Sequence, residues 1–143
     1  MTDTLQIARQ FINALPHSRA LGMELVALGD GTATLSMPWD PRLVGDPATG
    51  VLHGGAVSTL MDTASGAAVM SHSAGPIATA TLDLRIDYMR PATPGQRITA
   101  HAECHHMTRS VAFIRVTAVD EDQSRPVAMG TGAFSVTRKA EKP

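Results

Sequence analysis

Hydrophobic and polar positions along this chain follow two different periods, and each change of period marks a predicted element. Between residues 3 and 15, apolar side chains recur three or four positions apart, which is the spacing of an amphipathic helix. Pro16 is expected to end that helix, because proline has no backbone N–H to donate. From Met23 the pattern alternates on both sides of the turn sequence Gly-Asp-Gly at 29–31, so a hairpin of two strands is predicted.

The second half of the chain predicts four further strands. Their alternating stretches cover residues 78–89, 96–107, 110–119 and 127–137, and short turn sequences separate them. After the hairpin, the Pro- and Gly-rich segment 38–52 is predicted to be a loop. The segment 54–70 that follows is apolar and made of small residues, which predicts one long buried helix. Strands that follow one another without helices exclude a doubly wound parallel fold. The predicted class is therefore α+β, with an antiparallel sheet wrapped around one long central helix and a short N-terminal helix.

Composition excludes several classes of protein. The 143 residues are enough for one domain that buries about two thirds of the surface of its unfolded chain. A net charge of −1 argues against a nucleic-acid partner, and the polar interruptions of segment 54–70 argue against a membrane span. Cys104 is the single cysteine, and the N-terminus has neither a basic nor an apolar signal region, so a reducing, cytoplasmic location is expected.

One charge lies inside the apolar segment. Asp62 is the only formally charged residue between Asp46 and Asp83. Taking an ionised carboxyl out of water costs several kcal/mol, roughly, unless partners offset the cost. A structural explanation is a carboxylate held by the hydroxyls of Ser58 or Ser65 and by buried water. The alternative is a functional site, because isolated buried charges cluster at such sites.

A longer motif surrounds this carboxylate. His53, Gly54 and Gly55 are followed after six residues by Asp62, and a later strand ends in Tyr88, Met89, Arg90, Pro91 and Ala92. In this combination the chain resembles the hotdog-fold acyl-CoA thioesterases, and within them the branch related to phenylacetate-pathway and acyl-CoA thioesterase-13-like enzymes. The resemblance covers about residues 22–137 and implies a single hotdog thioesterase domain over 1–143, with the N-terminal helix at 3–15 and a frayed tail at 138–143.

The resemblance also implies a mechanism, the hydrolysis of an acyl-CoA thioester to free acid and coenzyme A, without a metal or other cofactor. It assigns Asp62 to general-base or nucleophilic attack, the backbone N–H of Gly54 to polarisation of the carbonyl, and His53 to a position beside the thioester. Thr81 would help to place the water. Several relatives carry an Asn about six residues before the His, where this chain has Asp46–Pro47.

Five further residues are predicted to bind the substrate. Gly55 leaves the helix N-terminus uncovered for close backbone approach, and Ser65 adds a small hydroxylic side chain one turn from the carboxylate. Arg90 and the turn residues Arg109 and Ser110 are candidates for the coenzyme A phosphates, because guanidinium groups pair well with phosphate oxygens. For these last residues, a solvated loop charge is an equally simple interpretation.

Helix geometry adds a prediction about assembly. At a rise of about 1.5 Å per residue, Asp62 lies roughly 12 Å along the helix from Gly54, too far for both to contact one carbonyl. Two copies packed antiparallel about a two-fold axis would bring Gly54 of one subunit to Asp62 of the other and would create two equivalent sites. A homodimer with composite active sites is therefore predicted, and pairing of dimers into a homotetramer is expected.

Other functions stay open at this point. One is a non-catalytic hotdog module that binds acyl-CoA, although such regulators usually append a DNA-binding domain. Another is a hotdog hydratase or dehydratase, although the spacing from His53 to Asp62 argues against it. His101, Cys104, His105 and His106 are close in sequence, but neighbouring side chains of a strand point to opposite faces, so no metal site is expected. The sequence does not indicate the acyl group.

Overall fold

The computed structural model describes residues 2–140. Two helices lie near the N-terminus, α1 (Thr2–Ala14) and α2 (Pro16–Ala20), and one long helix, α3 (Gly54–Met70), lies in the middle of the chain. The strands are β1 (Glu24–Gly29), β2 (Thr32–Met37), β3 (Val44–Asp46), β4 (Val51–Leu52), β5 (Ala78–Tyr88), β6 (Ile98–Met107), β7 (Val111–Val119) and β8 (Ala128–Thr137). No helix within residues 2–140 combines the length and hydrophobicity needed to cross a bilayer.

The main sheet has six antiparallel strands in the order β1-β2-β6-β7-β8-β5. Strand β5 is adjacent to neither β2 nor β6, the strands that precede and follow it in the sheet's chain order; it pairs only with β8 and lies at an open edge of the sheet. This arrangement confirms the predicted α+β class, with one long helix against an antiparallel sheet. The short strands β3 and β4 form a separate pair just before α3.

Small side chains allow α3 to lie close to the sheet. The inner face of β6 and β7 carries buried alanines that alternate with outward residues, at Ala100, Ala102, Ala112 and Ala118. The facing side of α3 contributes Leu60, Met61, Ala64, Ala68 and Val69, all of them fully buried. Because apolar area removed from water is the main favourable contribution to folding, this contact forms the core of the domain.

Two local predictions differ from the structure. Pro16 does not simply end the N-terminal helix but begins α2, because the first position of a helix needs no N–H donor. The predicted loop at 38–52 contains β3, β4 and a turn of 3₁₀ helix, Pro41–Leu43. The carboxylate of Asp40 accepts the N–H of Arg42 at 2.8 Å and caps that turn.

The start of the C-terminal tail is attached to the domain. The guanidinium of Arg138 donates to the carbonyl oxygens of Ala74, Thr108 and Arg109 at 2.6, 3.2 and 3.1 Å. The prediction of a frayed tail falls partly on residues 141–143, which lie outside the described residues.

Candidate active site

The N-terminus of α3 is capped by a histidine ring. His53 has extended backbone angles, φ −60° and ψ 134°, and its Nδ1 accepts the N–H of Gly55 at 2.8 Å. The backbone N–H of His53 donates to Leu43 at 2.8 Å, so the β3–β4 segment fixes where the helix begins. A ring nitrogen that accepts an N–H carries no proton, so the neutral imidazole has its proton on Nε2. The exposed ring of His53 therefore presents an N–H donor to the solvent side.

Gly54 supplies a second open donor. The preceding carbonyl, that of His53, accepts the N–H of Ala56 at 3.0 Å, while none of the hydrogen bonds among residues 2–140 uses the N–H of Gly54. The first N–H groups of a helix have no partner within the helix and lie at the positive end of its dipole. This end of α3 can therefore bind a developing oxyanion.

Asp62 lies two turns further along α3 and is half-buried. Its Oδ1 accepts the hydroxyl of Thr81 on β5 at 2.7 Å. The two serines considered as structural partners bond elsewhere, since Ser58 donates to Gly55 O at 3.0 Å and Ser65 donates to Met61 O at 2.7 Å. Within the described part of the chain, Oδ2 of Asp62 has no hydrogen-bond donor. The carboxylate is therefore oriented through one oxygen and open at the other.

The helix has one covered face and one open face. After Gly55, the residues of α3 that are not buried recur at helical spacing and are small with one exception: Ser58, Thr59, Asp62, Thr63, Gly66, Ala67 and Met70. Residues between them, such as Leu60 and Val69, are buried against the sheet. Asp62 thus lies at the centre of a stripe that this chain leaves uncovered.

Strand β5 holds α3 at two points. Thr81 contacts Asp62 near one end of the strand, and the hydroxyl of Tyr88 at the other end donates to the carbonyl oxygen of Gly54 at 2.9 Å. A register shift between Thr81 and Asp83 leaves Leu82 as a bulge next to Thr81. Sequence reasoning assigned no role to Tyr88, although the tyrosine is part of the motif that carries the resemblance.

Two predicted substrate residues have other partners. Ser65 is fully buried on the sheet side of α3 and does not face Asp62. Arg90 forms a two-pronged ion pair with Asp120, both contacts 2.7 Å long, and also donates to Arg125 O at 2.7 Å. The guanidinium holds the pKa of the Asp120 carboxyl well below its usual range. Because the hydrogen bonds of these two side chains are already made within the fold, we do not retain them in the proposed site.

The remaining predicted substrate residues lie at different places. Gly55 is exposed beside Gly54, and its N–H is used by His53. Arg109 and Ser110 are exposed in the turn between β6 and β7. The bonds from Arg138 connect that turn to Ala74, just beyond the C-terminal end of α3. Within one chain this turn is therefore remote from Gly54, and its contact with phosphate stays a prediction.

Comparison with known proteins identifies the family of this chain. Residues 49–127 match the model of the thioesterase superfamily. The medium/long-chain acyl-CoA thioesterase YigI of Escherichia coli is 31% identical, with 91% of each chain covered. The acyl-coenzyme A thioesterase PaaI of the same organism is 27% identical, over 80% of this chain and 78% of that one. A crystal structure from Pseudomonas aeruginosa is 40% identical, covers 92% of this chain and 97% of that chain, and superposes with a TM-score of 0.80.

A solved structure of one of these relatives has the same fold. The solved structure of Escherichia coli PaaI superposes with a TM-score of 0.82 over 93% of this chain and 92% of that chain. The resemblance inferred from the His-Gly-Gly motif and Asp62 is confirmed by these matches. The chain belongs to the thioesterase superfamily, and its architecture is the hotdog fold.

Proposed function

We propose that this protein is an acyl-CoA thioesterase that hydrolyses the thioester to a free acid and coenzyme A. Membership of the thioesterase superfamily supports the reaction class, and the names of YigI and PaaI support acyl-CoA as the substrate. The observation that carries the proposal is the carboxylate of Asp62, held through one oxygen by Thr81 and open at the other, on the uncovered face of α3.

The groups have complementary roles in the proposed reaction. The N–H of Gly54 donates to the thioester carbonyl oxygen and stabilises negative charge as the tetrahedral intermediate forms. The Nε2–H of His53, at the same end of α3, is a further donor rather than a base in this tautomer. Asp62 accepts a proton from the water that attacks the carbonyl carbon. Collapse of the intermediate breaks the C–S bond, and the departing coenzyme A thiolate takes up the proton.

Attack by Asp62 itself is the second form of this chemistry. Its free oxygen would bond to the acyl carbon, coenzyme A would leave as the thiolate, and water would then hydrolyse the mixed anhydride. Both forms need the carboxylate ionised and within reach of the carbonyl, and both place the hydroxyl of Thr81 on the other oxygen.

The site is proposed to form between two subunits. Asp62 and Gly54 are separated by roughly 12 Å along one helix, so a carbonyl bound at Gly54 needs its carboxylate from a second copy. Strand β5 is an open edge of 11 residues, and unpaired strand edges favour pairing with another chain. Large apolar side chains on or next to this edge are exposed: Ile77, Leu82, Tyr88 and Met89.

A two-fold axis through the middle of β5 satisfies these features together. Antiparallel pairing of β5 with its copy would extend the sheet, and the open stripes of the two α3 helices would face each other. The contacts Thr81–Asp62 and Tyr88–Gly54 lie near opposite ends of β5. An axis midway between them, near Leu84, would bring Asp62 of each subunit beside Gly54 of its partner. Pairing of two such dimers into a tetramer is part of the proposal without an assigned surface.

The experiment that tests the function is a free-thiol release assay over a panel of short, long and aryl acyl-CoAs. Wild-type protein is expected to release thiol from part of the panel, and Asp62→Asn is expected to release little. Glu103→Gln is the matched control, because Glu103 is an exposed carboxylate on β6, away from α3 and from the β5 edge. Binding of acyl-CoA without turnover by the wild type would contradict the proposal and favour a binding module.

A further inference from the structure

We propose that Tyr88 is a positioning residue for hydrolysis, which fixes the direction of the Gly54 N–H by holding the peptide group that follows it. The inference rests on the proposed function, since it concerns the donor assigned to the carbonyl. Tyr88 lies at the last position of β5, is 53% exposed, and donates its hydroxyl hydrogen to Gly54 O at 2.9 Å. The hydroxyl is therefore close to the proposed oxyanion donor, the N–H of Gly54, but is not itself assigned as that donor.

The peptide group between Gly54 and Gly55 is held at both of its ends. The carbonyl of Gly54 and the N–H of Gly55 belong to the same peptide group. Tyr88 binds its oxygen, and Nδ1 of His53 accepts its N–H at 2.8 Å. Both ends of this rigid unit are therefore held by side chains. A donor on the carbonyl and an acceptor on the N–H also polarise the group in the same direction.

The neighbouring peptide plane carries the reactive donor. Its oxygen, that of His53, accepts the N–H of Ala56 at 3.0 Å, and its other end is the open N–H of Gly54. The α-carbon of Gly54 joins the two planes, and glycine resists rotation about its backbone bonds less than any other residue. When the peptide group between Gly54 and Gly55 is held, this freedom is removed at the one residue whose N–H is proposed to bind the thioester carbonyl. Donors that are already oriented stabilise a transition state without a reorganisation cost.

The ring of Tyr88 also explains why position 54 has no side chain. A Cβ placed on Gly54 would lie 3.3 and 3.4 Å from two ring carbons of Tyr88, closer than most such contacts in proteins. The ring therefore lies against the α-carbon, and the hydroxyl reaches the carbonyl from there. Contact and hydrogen bond together identify the N-terminal turn of α3 as the group that Tyr88 supports.

The test compares Tyr88→Phe with wild type in the thiol-release assay, because phenylalanine keeps the ring and removes the hydroxyl. One hydrogen bond contributes enough to predict a five- to tenfold decrease in kcat, roughly, with KM changed by less than about twofold. Met129→Leu is the control, because Met129 lies on β8, is 45% exposed and is not part of the β5 edge proposed to pair with a second copy. Its kcat is expected to equal that of the wild type.

A double-mutant cycle tests whether Tyr88 acts through Gly54. Gly54→Pro removes the proposed donor, so adding Tyr88→Phe to it is expected to change kcat by less than about twofold. If the hydroxyl instead contacts substrate directly, its loss costs the same factor in both backgrounds, which overturns the inference.

The outcomes also separate this inference from the proposed function. A Tyr88→Phe variant with wild-type kcat, beside an inactive Asp62→Asn, overturns the role of Tyr88 alone. A wild type that releases no thiol from any acyl-CoA overturns both.

Discussion

Two aspartates of this domain differ in how far their carboxylates are buried and hydrogen-bonded. Asp120 is completely buried and accepts five hydrogen bonds, two from Arg90, two from Thr93 and one from Asp122. Asp62 is half-buried and accepts one, from Thr81, on a single oxygen. The first carboxylate has no lone pair left for a substrate, whereas the second has a whole oxygen available.

This difference distinguishes a structural carboxylate from a proposed catalytic one. A buried charge that is fully hydrogen-bonded fixes the conformation around it, and losing a partner leaves an uncompensated charge. A carboxylate that is oriented but not saturated is ready to take a proton or to attack. Burial alone therefore does not identify a catalytic carboxylate; Asp62 is the better candidate because it is both oriented by a partner and left with unused acceptor positions. Substitutions of each group should affect different measurements.

The largest effect is expected for Asp62→Asn, which keeps the shape of the side chain and removes its charge. Loss of the base predicts a decrease in kcat of about a thousandfold. The free energy of unfolding should change by less than about 1 kcal/mol, because one half-buried hydrogen bond is at stake. Urea unfolding and the thiol-release assay measure the two quantities. Thiol release within a few-fold of wild type would remove Asp62 from the mechanism.

The opposite result is expected for Arg90→Ala. Asp120 would remain buried without its guanidinium, which predicts a loss of about 3 kcal/mol in the free energy of unfolding. Activity per folded molecule should stay close to wild type. Arg85→Ala is the control, because its exposed ion pair with Asp87 predicts a loss of less than about 1 kcal/mol. Equal stabilities of the two variants in urea would contradict the structural role given to Arg90.

The oxyanion donor is tested by Gly54→Pro against Gly54→Ala. Both add a Cβ against the ring of Tyr88, but only proline removes the N–H. Proline suits the first position of a helix, and the extended backbone of His53 is compatible with a following proline. Proline is expected to lower kcat about a hundredfold more than alanine does. The proposed donor is wrong if the two variants have the same kcat.

A smaller effect is expected for Thr81→Val, which keeps the branched shape and removes the hydroxyl that orients Asp62. The loss of one hydrogen bond to a charged group predicts roughly a tenfold decrease in kcat. Thr79→Val, two positions earlier on β5, is the control, because its hydroxyl donates to Ser135 O instead. Steady-state kinetics would exclude the orienting role if both variants matched the wild type.

Much of the fold was predictable because alternation and helical spacing are local. The hairpin, the long helix from Gly54 and the four later strands agree with their predicted positions within two residues. Strands β3 and β4 were not predictable in this way. They depend on contacts such as that between the N–H of His53 and Leu43 O, which leave no period in the sequence.

The site was predictable only where a residue stands out from its neighbours. Asp62 is an isolated charge, and His53 and Gly54 belong to a motif. Arg90 and Asp120 are 30 positions apart, so the sequence does not reveal that they pair. The contact made by Tyr88 was not predictable for another reason. Its partner is the backbone carbonyl of Gly54, a group that every residue carries.

The composite site is the central claim, and subunit mixing tests it most directly. Asp62→Asn and Gly54→Pro proteins, both of low activity, would be unfolded together, refolded and assayed for thiol release. In a mixed dimer of the proposed kind, one site carries both changes and the other carries neither. Random pairing then predicts recovery of about a quarter of wild-type activity. If each subunit contained its own complete site, every site in the mixture would carry one change. No recovery of activity beyond that of the separate variants would contradict the account.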